Sequence, residues 1–467
     1  VKVTSLDNPV KVEWFFEQGC RLDPTPYLSG ALEARKRLEA LPNTVRLDTV
    51  TDSIHHAGRF SRRWVQSPEH GIPFFSSTDI LEADYSYLPY VAKSAAKENP
   101  RLLIRPRWTL VTRSGTVGRV AYARPDIDGF ACSEDVMRIR PNEKNIPAGY
   151  LNTFLRSRFG IPMIVSSAYG AIIQHIEPHH LADLPVPRFD ADLEQRIHDL
   201  VEEAAHLRAD FQAGLNTATE DFFRSAGLPE LIDYRWHEQE RDLGFQIEVA
   251  NSKSLRALNF SPRVRDVIDK LESVAFRRLG DICDGGWLGS GVRFKRIDAD
   301  EEHGVQLIGQ RQGFWARPEG RWISAAASPR DIFAPEETIL IASQGTLGEH
   351  EVFCRSLIVY GSWTKHAYTQ HFLRVVSGDS NISGAYLFAF FRSEVAFRIL
   401  RSMSVGSKQQ DIHEGLRREI PIPIVGITDR ERIADTVRQA FRHRDRADVL
   451  EDEALDLLTK AIEGAEV

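Results

Sequence analysis

The chain has 467 residues, with 59 Lys and Arg against 66 Asp and Glu and a net charge of −7. It is therefore no polycation, and any affinity for nucleic acid must come from the local charge of one face. With 42% hydrophobic and 27% charged residues it reads as an ordinary soluble chain long enough for two to three domains, and no apolar run approaches a membrane span. No signal-peptide pattern opens it. Four scattered cysteines (Cys20, Cys132, Cys283, Cys354) form no CxxC pair, which argues against a zinc knuckle or a disulfide framework and makes the cytoplasm the expected location.

Residues 1–45 read as a leading segment. An apolar anchor, Trp14 to Phe16, is followed by Asp23, two prolines and Tyr27, and Ala31–Leu41 reads as a short charged helix stopped by Pro42. The stretch from Asp23 to Tyr27 superficially resembles the DPPY box of amino-methyltransferases. An extra Thr25 separates its prolines, and no glycine-rich cofactor loop precedes it. Residues 46–147 alternate short strand candidates (Arg46–Val50, Ile72–Ser76, Leu102–Thr112, Val117–Ala123, Val136–Arg140) with polar loops. The loop His55–Arg63 carries Arg59, Arg62 and Arg63. Arg113–Arg119 is a tight glycine turn carrying Ser114, Thr116 and Arg119. It lacks the GxxxxGK pattern of a nucleotide P-loop, so a hairpin is its plain reading.

Next comes a helix, Tyr150–Ser157 (YLNTFLRS), a polar loop with Tyr169 and Gln174, and a PxP stop at Pro185 and Pro187. His175, His179 and His180 invite a metal reading, but Pro178 breaks any helix between them, and capping or exposed histidines explain them better. No metal site is expected. From Asp190, an N-cap candidate, Leu193, Ile197, Leu200, Ala204, Leu207 and Phe211 step by four and three. That is an a/d seam, and Gly227 closes it. Roughly 33 helical residues give a rod of about 50 Å, whose narrow apolar stripe needs a partner helix.

The remainder repeats this plan at an offset of 236 residues, from Tyr150 to Tyr386. Tyr386–Ser393 (YLFAFFRS) repeats the helix, and Pro421 and Pro423 repeat the stop. Arg432 and Ile433 repeat Arg196 and Ile197. A second leading segment (230–277) holds a short helix at Arg263–Ser273. Thr338–Gly348 (TILIASQGTLG) repeats Thr109–Gly118 (TLVTRSGTVG) with one insertion. The second rod runs from about Thr428 to Ile462, with Ile433, Val437, Ala440, Ala447, Leu450, Ala454 and Leu458 on its seam. The loops differ between copies. Asp284–Lys295, with Arg293 and Lys295, replaces the His55 loop, and Gln310, Arg311 and Gln312 replace Ser77, Thr78 and Asp79. Gln344 and Thr346 lie on the second turn, and Ser407, Lys408, Gln409 and Gln410 in the second polar loop.

Scaffold positions agree while loop positions differ, as expected of two domains doing one physical job on different targets. The loop residues suit DNA: Arg and Lys for guanine and phosphate, Gln for adenine, Ser and Thr for either. Acidic residues concentrate on the rods (Glu194, Asp199, Glu202, Glu203; Glu451, Asp452, Glu453), so basic tips can coexist with a negative total.

The paired YLxxFxRS helices, the turns Ser114–Gly118 and Gln344–Gly348, the exits "LADLPVP" and "RREIPIP" and the terminal helices resemble the specificity (S) subunit of Type I restriction–modification systems over nearly the whole chain. The long leading segments depart from the commonest members. The resemblance implies an α+β fold: two target-recognition domains related by a pseudo-two-fold axis (1–187 and 228–425), joined by two long helices (188–227 and 426–467) in an antiparallel coiled coil. It implies double-stranded DNA as ligand, two methyltransferase subunits as partners and motor-nuclease subunits for restriction. The chain itself would perform no chemistry and hold no cofactor, with S-adenosylmethionine carried by the methyltransferase. A bipartite, asymmetric target is expected, with half-site centres roughly 10–15 base pairs apart at about 3.4 Å per base pair. Two other classes remain open: a two-domain coiled-coil scaffold without DNA contact, which predicts no basic face, and an enzyme using Asp23 and Tyr27, which predicts turnover without partners.

Overall fold

The computed structural model describes residues 10–17, 20–22, 24–168, 174–228, 231–237, 244–247 and 252–464. They divide into two units. One comprises Val1–Glu82, Leu88–Ala209 and Arg446–Val467, the other Ala83–Tyr87 and Asp210–Asp445. Each is a mixed α/β body, and each contains one segment of both long helices, Ala191–Ser225 and Ile427–Gly464.

The first long helix starts where Asp190 accepts the Leu193 N–H at 2.8 Å, which satisfies one of the free first-turn donors. It ends at Gly227, whose φ of +71° lets Leu228 N–H bond back to the Phe223 carbonyl. Its buried stripe differs from the expected seam. Ile197, Val201, Ala204, Arg208, Phe211, Leu215, Ala218 and Phe222 are buried, whereas Leu193, Leu200 and Leu207 lie partly buried on the flank. Arg208 holds a seam position that an apolar count skips. The second helix shows the same device. All seven expected residues are buried, and Arg444, 0% exposed, fills the gap between Ala440 and Ala447.

Within the first unit the two helix segments run antiparallel. Arg196 pairs with Glu453, Arg208 pairs with Asp448 and Glu451, and Ala204 packs with Ala447 and Leu450. Within the second unit they again run antiparallel. Phe211 meets Phe441 edge-on at 5.1 Å, Arg432 pairs with Asp221, and a Cβ on Gly214 would stand 3.0 Å from that of Ala440. The glycine there permits a close helix–helix approach.

Each unit also contains a four-stranded antiparallel sheet of one topology. In the first, Thr51–His55, Val136–Pro141, Thr109–Thr112 and Val120–Tyr122 are neighbours in that order. In the second, Trp287–Ser290, Phe372–Val376, Ile339–Ala342 and Ser356–Ile358 are. Leu110 faces Arg138 in one register and Leu340 faces Arg374 in the other. Both arginines are buried. Arg138 donates to the carbonyls of Ser133, Val136, Leu102 and Cys132, and Arg374 to those of Asp331, Ile332 and Phe333. Main-chain oxygens thus take the Nη donors of a charge held away from water, and they fasten loops beneath the sheet. The repeated helices, Ala148–Arg156 and Gly384–Phe391, pack on the sheets.

Three sequence expectations are corrected. Arg46–Val50 is not one strand: Thr44–Arg46 is followed by a tight turn at Leu47–Thr49, and the sheet strand is Thr51–His55. Leu102–Thr112 is strand only over Thr109–Thr112, because Arg107 turns the chain with a φ of +69°. The PxP stops are strands. Pro185–Pro187 pairs with Thr44–Arg46, and Pro421–Pro423 with Phe276–Arg278. Two strand edges tolerate these prolines because the ladders are only two strands wide. The repeated tyrosines lock them: Tyr150 Oη donates to the Pro187 carbonyl at 2.5 Å, and Tyr386 Oη to that of Pro423 at 2.8 Å.

Candidate nucleic-acid interface

In the first unit the glycine turn links strands Thr109–Thr112 and Val120–Tyr122, with Gly115 and Gly118 at φ of +74° and +91°. Its conformation is fixed from inside. Thr112 Oγ1 donates to the Thr116 carbonyl and accepts the Arg119 N–H at 2.9 Å. Ser114 bridges to His175, and Ile176 N–H donates to the Arg113 carbonyl at 3.1 Å. The turn is thereby fastened to the polar loop that contains Gln174. Glu177 completes the joint, taking Arg113 on one oxygen and His56 at 3.3 Å on the other. Burial, then Arg113, lowers the His56 pKa against the opposing pull of Glu177.

Ser114, Thr116, Arg119 and Gln174 therefore come together, with Thr116 and Gln174 exposed and Ser114 and Arg119 half-buried. Arg59, Arg62 and Arg63 are exposed on the neighbouring loop. Arg62 pairs with Glu134 at 3.0 Å and lies over the Phe74 ring, and Arg63 pairs with Glu98 at 2.5 Å. The Arg63–Glu98 pair faces solvent on both sides and is weak enough for a phosphate to displace. Trp64, 49% exposed, stands beside them. Tyr169 lies outside the described residues, as does Asp23 of the leading segment. Tyr27 Oη donates to the Arg21 carbonyl at 2.7 Å. His180 accepts the Glu177 N–H through Nδ1, the capping role anticipated for these histidines.

The second unit builds the same joint from different chemistry. Gly345 pairs in both directions with Gln410, which fastens the turn to a hairpin of Ser404–Gly406 and Gln410–Ile412. Gln310 closes a two-point clamp on Gln344, its Nε2 donating to the Gln344 carbonyl at 2.8 Å and its Oε1 accepting the Gln344 N–H at 3.1 Å. The Gln344 side chain bonds His371 at 2.5 Å and Asp411 at 3.4 Å. Gln410 is 4% exposed, and its amide donates to the Ser407 carbonyl.

Gln310, Gln344 and Gln410, taken from sequence as candidates for DNA contact, thus make hydrogen bonds within the unit, the first two half-buried and the third buried. Ser407, Lys408 and Gln409 form the exposed hairpin tip, and Thr346 is exposed on the turn. Arg311 and Gln312 share the short helix Gln310–Gly313 and are half-buried. Arg293 and Lys295 are exposed on the segment after Trp287–Ser290, which sequence read as loop throughout but which pairs with Phe372–Val376. That segment meets the joint through Arg296, which donates to Gln370 at 3.0 Å beside His371. Sequence reasoning missed Arg113, Glu177, His56 and His371. The four are scattered through the chain and share no spacing signal.

No family model matches this sequence, and no curated protein matches it. Solved structures do. A Type I restriction–modification S subunit from M. genitalium is 14% identical, with 91% of this chain and 95% of that chain covered and a TM-score of 0.37. The HsdS subunit from Thermoanaerobacter tengcongensis is 14% identical over 91% of this chain and 98% of that one, with a TM-score of 0.28. A chain from a study of the assembly and conformational transition of the type I R-M system is 14% identical over 90% and 98%, with a TM-score of 0.27. The chain is similar to S subunits. Among the described residues no helix is long and apolar enough to cross a membrane, and no group of three His, Cys, Asp or Glu is placed to hold a metal ion.

Proposed function

We propose that the chain is the DNA-recognition subunit of a Type I-like restriction–modification system. In this reading each unit carries one recognition domain that reads a short half-site. The domains are related by a pseudo-two-fold axis, and the paired helices set the gap between half-sites. The target is bipartite and asymmetric. The chain performs no catalysis and binds no cofactor. It positions two adenine methyltransferase subunits, which bring S-adenosylmethionine and flip a base in each half-site, and motor-nuclease subunits where restriction occurs.

One observation carries the reading. In each unit the same glycine turn is bonded to the same polar loop, with Thr116 and Thr346 exposed at matching places on the turns, while among the described residues the exposed loop side chains differ: Gln174 in one, Ser407 to Gln409 in the other. A fixed frame with exchanged polar tips is what two readers of different sequences require.

Methylome sequencing of cells expressing this chain with its neighbouring genes tests it. The expected outcome is one bipartite adenine-methylation motif with unlike halves. Removal of about one heptad from each helix should shorten the gap. No motif at all would favour a scaffold without DNA contact, and a gap unchanged by the deletion would mean that the helices do not measure it.

A further inference from the structure

Residues Ala83–Tyr87 (ADYSY) follow strand-forming segments of the first half in sequence, yet they are part of the second unit. They are bound there at four points. Ala83 N–H donates to the Phe314 carbonyl at 2.8 Å. Asp84 takes Arg392 on both carboxylate oxygens, Nη2 to Oδ1 at 2.9 Å, and the Gln212 amide at 2.9 Å. Tyr85 N–H returns to Gln212 Oε1 at 2.8 Å. The Arg355 guanidinium lies 4.9 Å from the Tyr87 ring centroid.

Arg392 is the arginine of the second YLxxFxRS motif. Its remaining donors go to the Leu215 carbonyl, Thr219 and Asn216 on the long helix. The Asp84 and Arg392 side chains are only 16% and 6% exposed, so little water reaches the pair. Burial pushes the Asp84 carboxyl up, but the charge and hydrogen bonds of Arg392, with Gln212, outweigh it and hold the pKa at about 2. The first-motif counterpart, Arg156, meets Glu451 of the other long helix. At the matching position in the second unit stands Leu215, which has no carboxylate, and Asp84 supplies the charge.

We propose that Ala83–Tyr87 is a positioning strap for the second recognition domain, with Asp84 as its anchoring residue. This rests on the DNA-recognition reading. The path is a continuous series of bonds. Ala83 holds Phe314, which directly follows the helix Gln310–Gly313. Gln310 clamps Gln344, and Gly345 pairs with Gln410 at the base of the hairpin tip. The strap thus sets the seat of the helix that sets the turn and hairpin. Residues 278–425 are then not a self-sufficient reading module: the strap must match the domain it supports.

The test uses the intact chain and a pool of random-sequence DNA duplexes. Asp84→Ala should reduce enrichment of one half-site by about tenfold or more and leave the other at the wild-type level. Amide exchange over residues 310–315 should quicken by about tenfold or more. Asp84→Arg should behave likewise, and Asp84→Arg with Arg392→Asp should restore both readouts. Replacement of 278–425 by a relative's sequence should give a weak half-site that strengthens when residues 83–87 come from the same relative. Equal weakening of both half-sites, or no change in either, overturns the proposal. If the wild-type chain enriches no sequence, the DNA-recognition reading fails, and exchange over 310–315 still decides the strap: unaltered exchange in Asp84→Ala refutes it.

Discussion

Arg208→Ala removes a cation that two carboxylates share inside the helix pair of the first unit. Arg208 Nη2 stands 2.6 Å from Asp448 and Nε 2.7 Å from Glu451, with side-chain exposures of 9%, 17% and 13%. Truncation leaves two mostly desolvated anions facing a cavity. Arg156 also reaches Glu451, at 2.5 Å. Breaking a buried pair from one side costs about 3–5 kcal/mol, because the remaining charge keeps its desolvation penalty and loses the arginine's compensation. For a unit of this size that lowers the melting temperature by roughly 6–20 °C. Arg432→Ala is the internal control. It also breaks an arginine–carboxylate pair between the two helices, but Arg432 is half exposed, so water and salt compensate. Calorimetry of the intact chain, with amide exchange resolved over residues 197–209, separates the two. Arg208→Ala should destabilise that segment strongly, with little dependence on salt, and Arg432→Ala should leave it unchanged. If the two variants lose equal stability, the seam around Arg208 is hydrated and the reasoning is wrong.

Tyr150→Phe and Tyr386→Phe each remove one hydroxyl from a fully buried ring and orphan a proline carbonyl, so each should cost about 1–3 kcal/mol by denaturant unfolding. Similar losses from both would show that the duplicated lock does the same work in each unit. His366 is buried, and burial with Lys365 and Arg444 holds its pKa at about 4. The unfolded chain binds that proton near 6.5 and the folded chain does not, so stability should fall as pH drops from 6.5 toward 4, by up to about 3 kcal/mol. His366→Gln should flatten that limb of the pH–stability curve, and an identical limb in both proteins would contradict the assignment. Lys408→Ala with Gln409→Ala should relax one half-site without measurable loss of stability, because both side chains are exposed.

The repeat, the long helices and the shared turn were legible in the sequence because they rest on local pattern: a spaced Tyr and Arg, an alternation of four and three, a pair of glycines. What escaped was held by contacts that leave no local trace. Arg138 and Arg374 sit at the repeat offset of 236, but their partners are main-chain carbonyls, which any sequence supplies. Arg208 and Arg444 sit at matching seam positions, where a count of apolar residues records only a gap. The prolines of the PxP stretches signalled termination correctly, yet they terminate by pairing at a sheet edge, and the strand facing them lies far away in the chain.

The division of the loop residues follows a different logic. Polarity alone cannot tell a side chain that fixes a loop from one that meets a ligand, since both must hydrogen-bond. In the second unit Gln310, Gln344 and Gln410 make hydrogen bonds within the fold, while Ser407, Lys408 and Gln409 stand on an exposed tip. In the first unit the same fixing falls to the ion pair of Arg113 and Glu177, with the His56 imidazole on the other carboxylate oxygen. The Gln344 side chain also meets His371 and Asp411, so both joints hold titratable groups, but a hydrogen bond between neutral amides is screened by salt less than the Arg113–Glu177 ion pair is. The two joints therefore reach one backbone arrangement by routes of unlike electrostatic sensitivity. Under the proposed function, the first half-site should be lost before the second as salt rises, an asymmetry that follows from the joints rather than from the exposed tips.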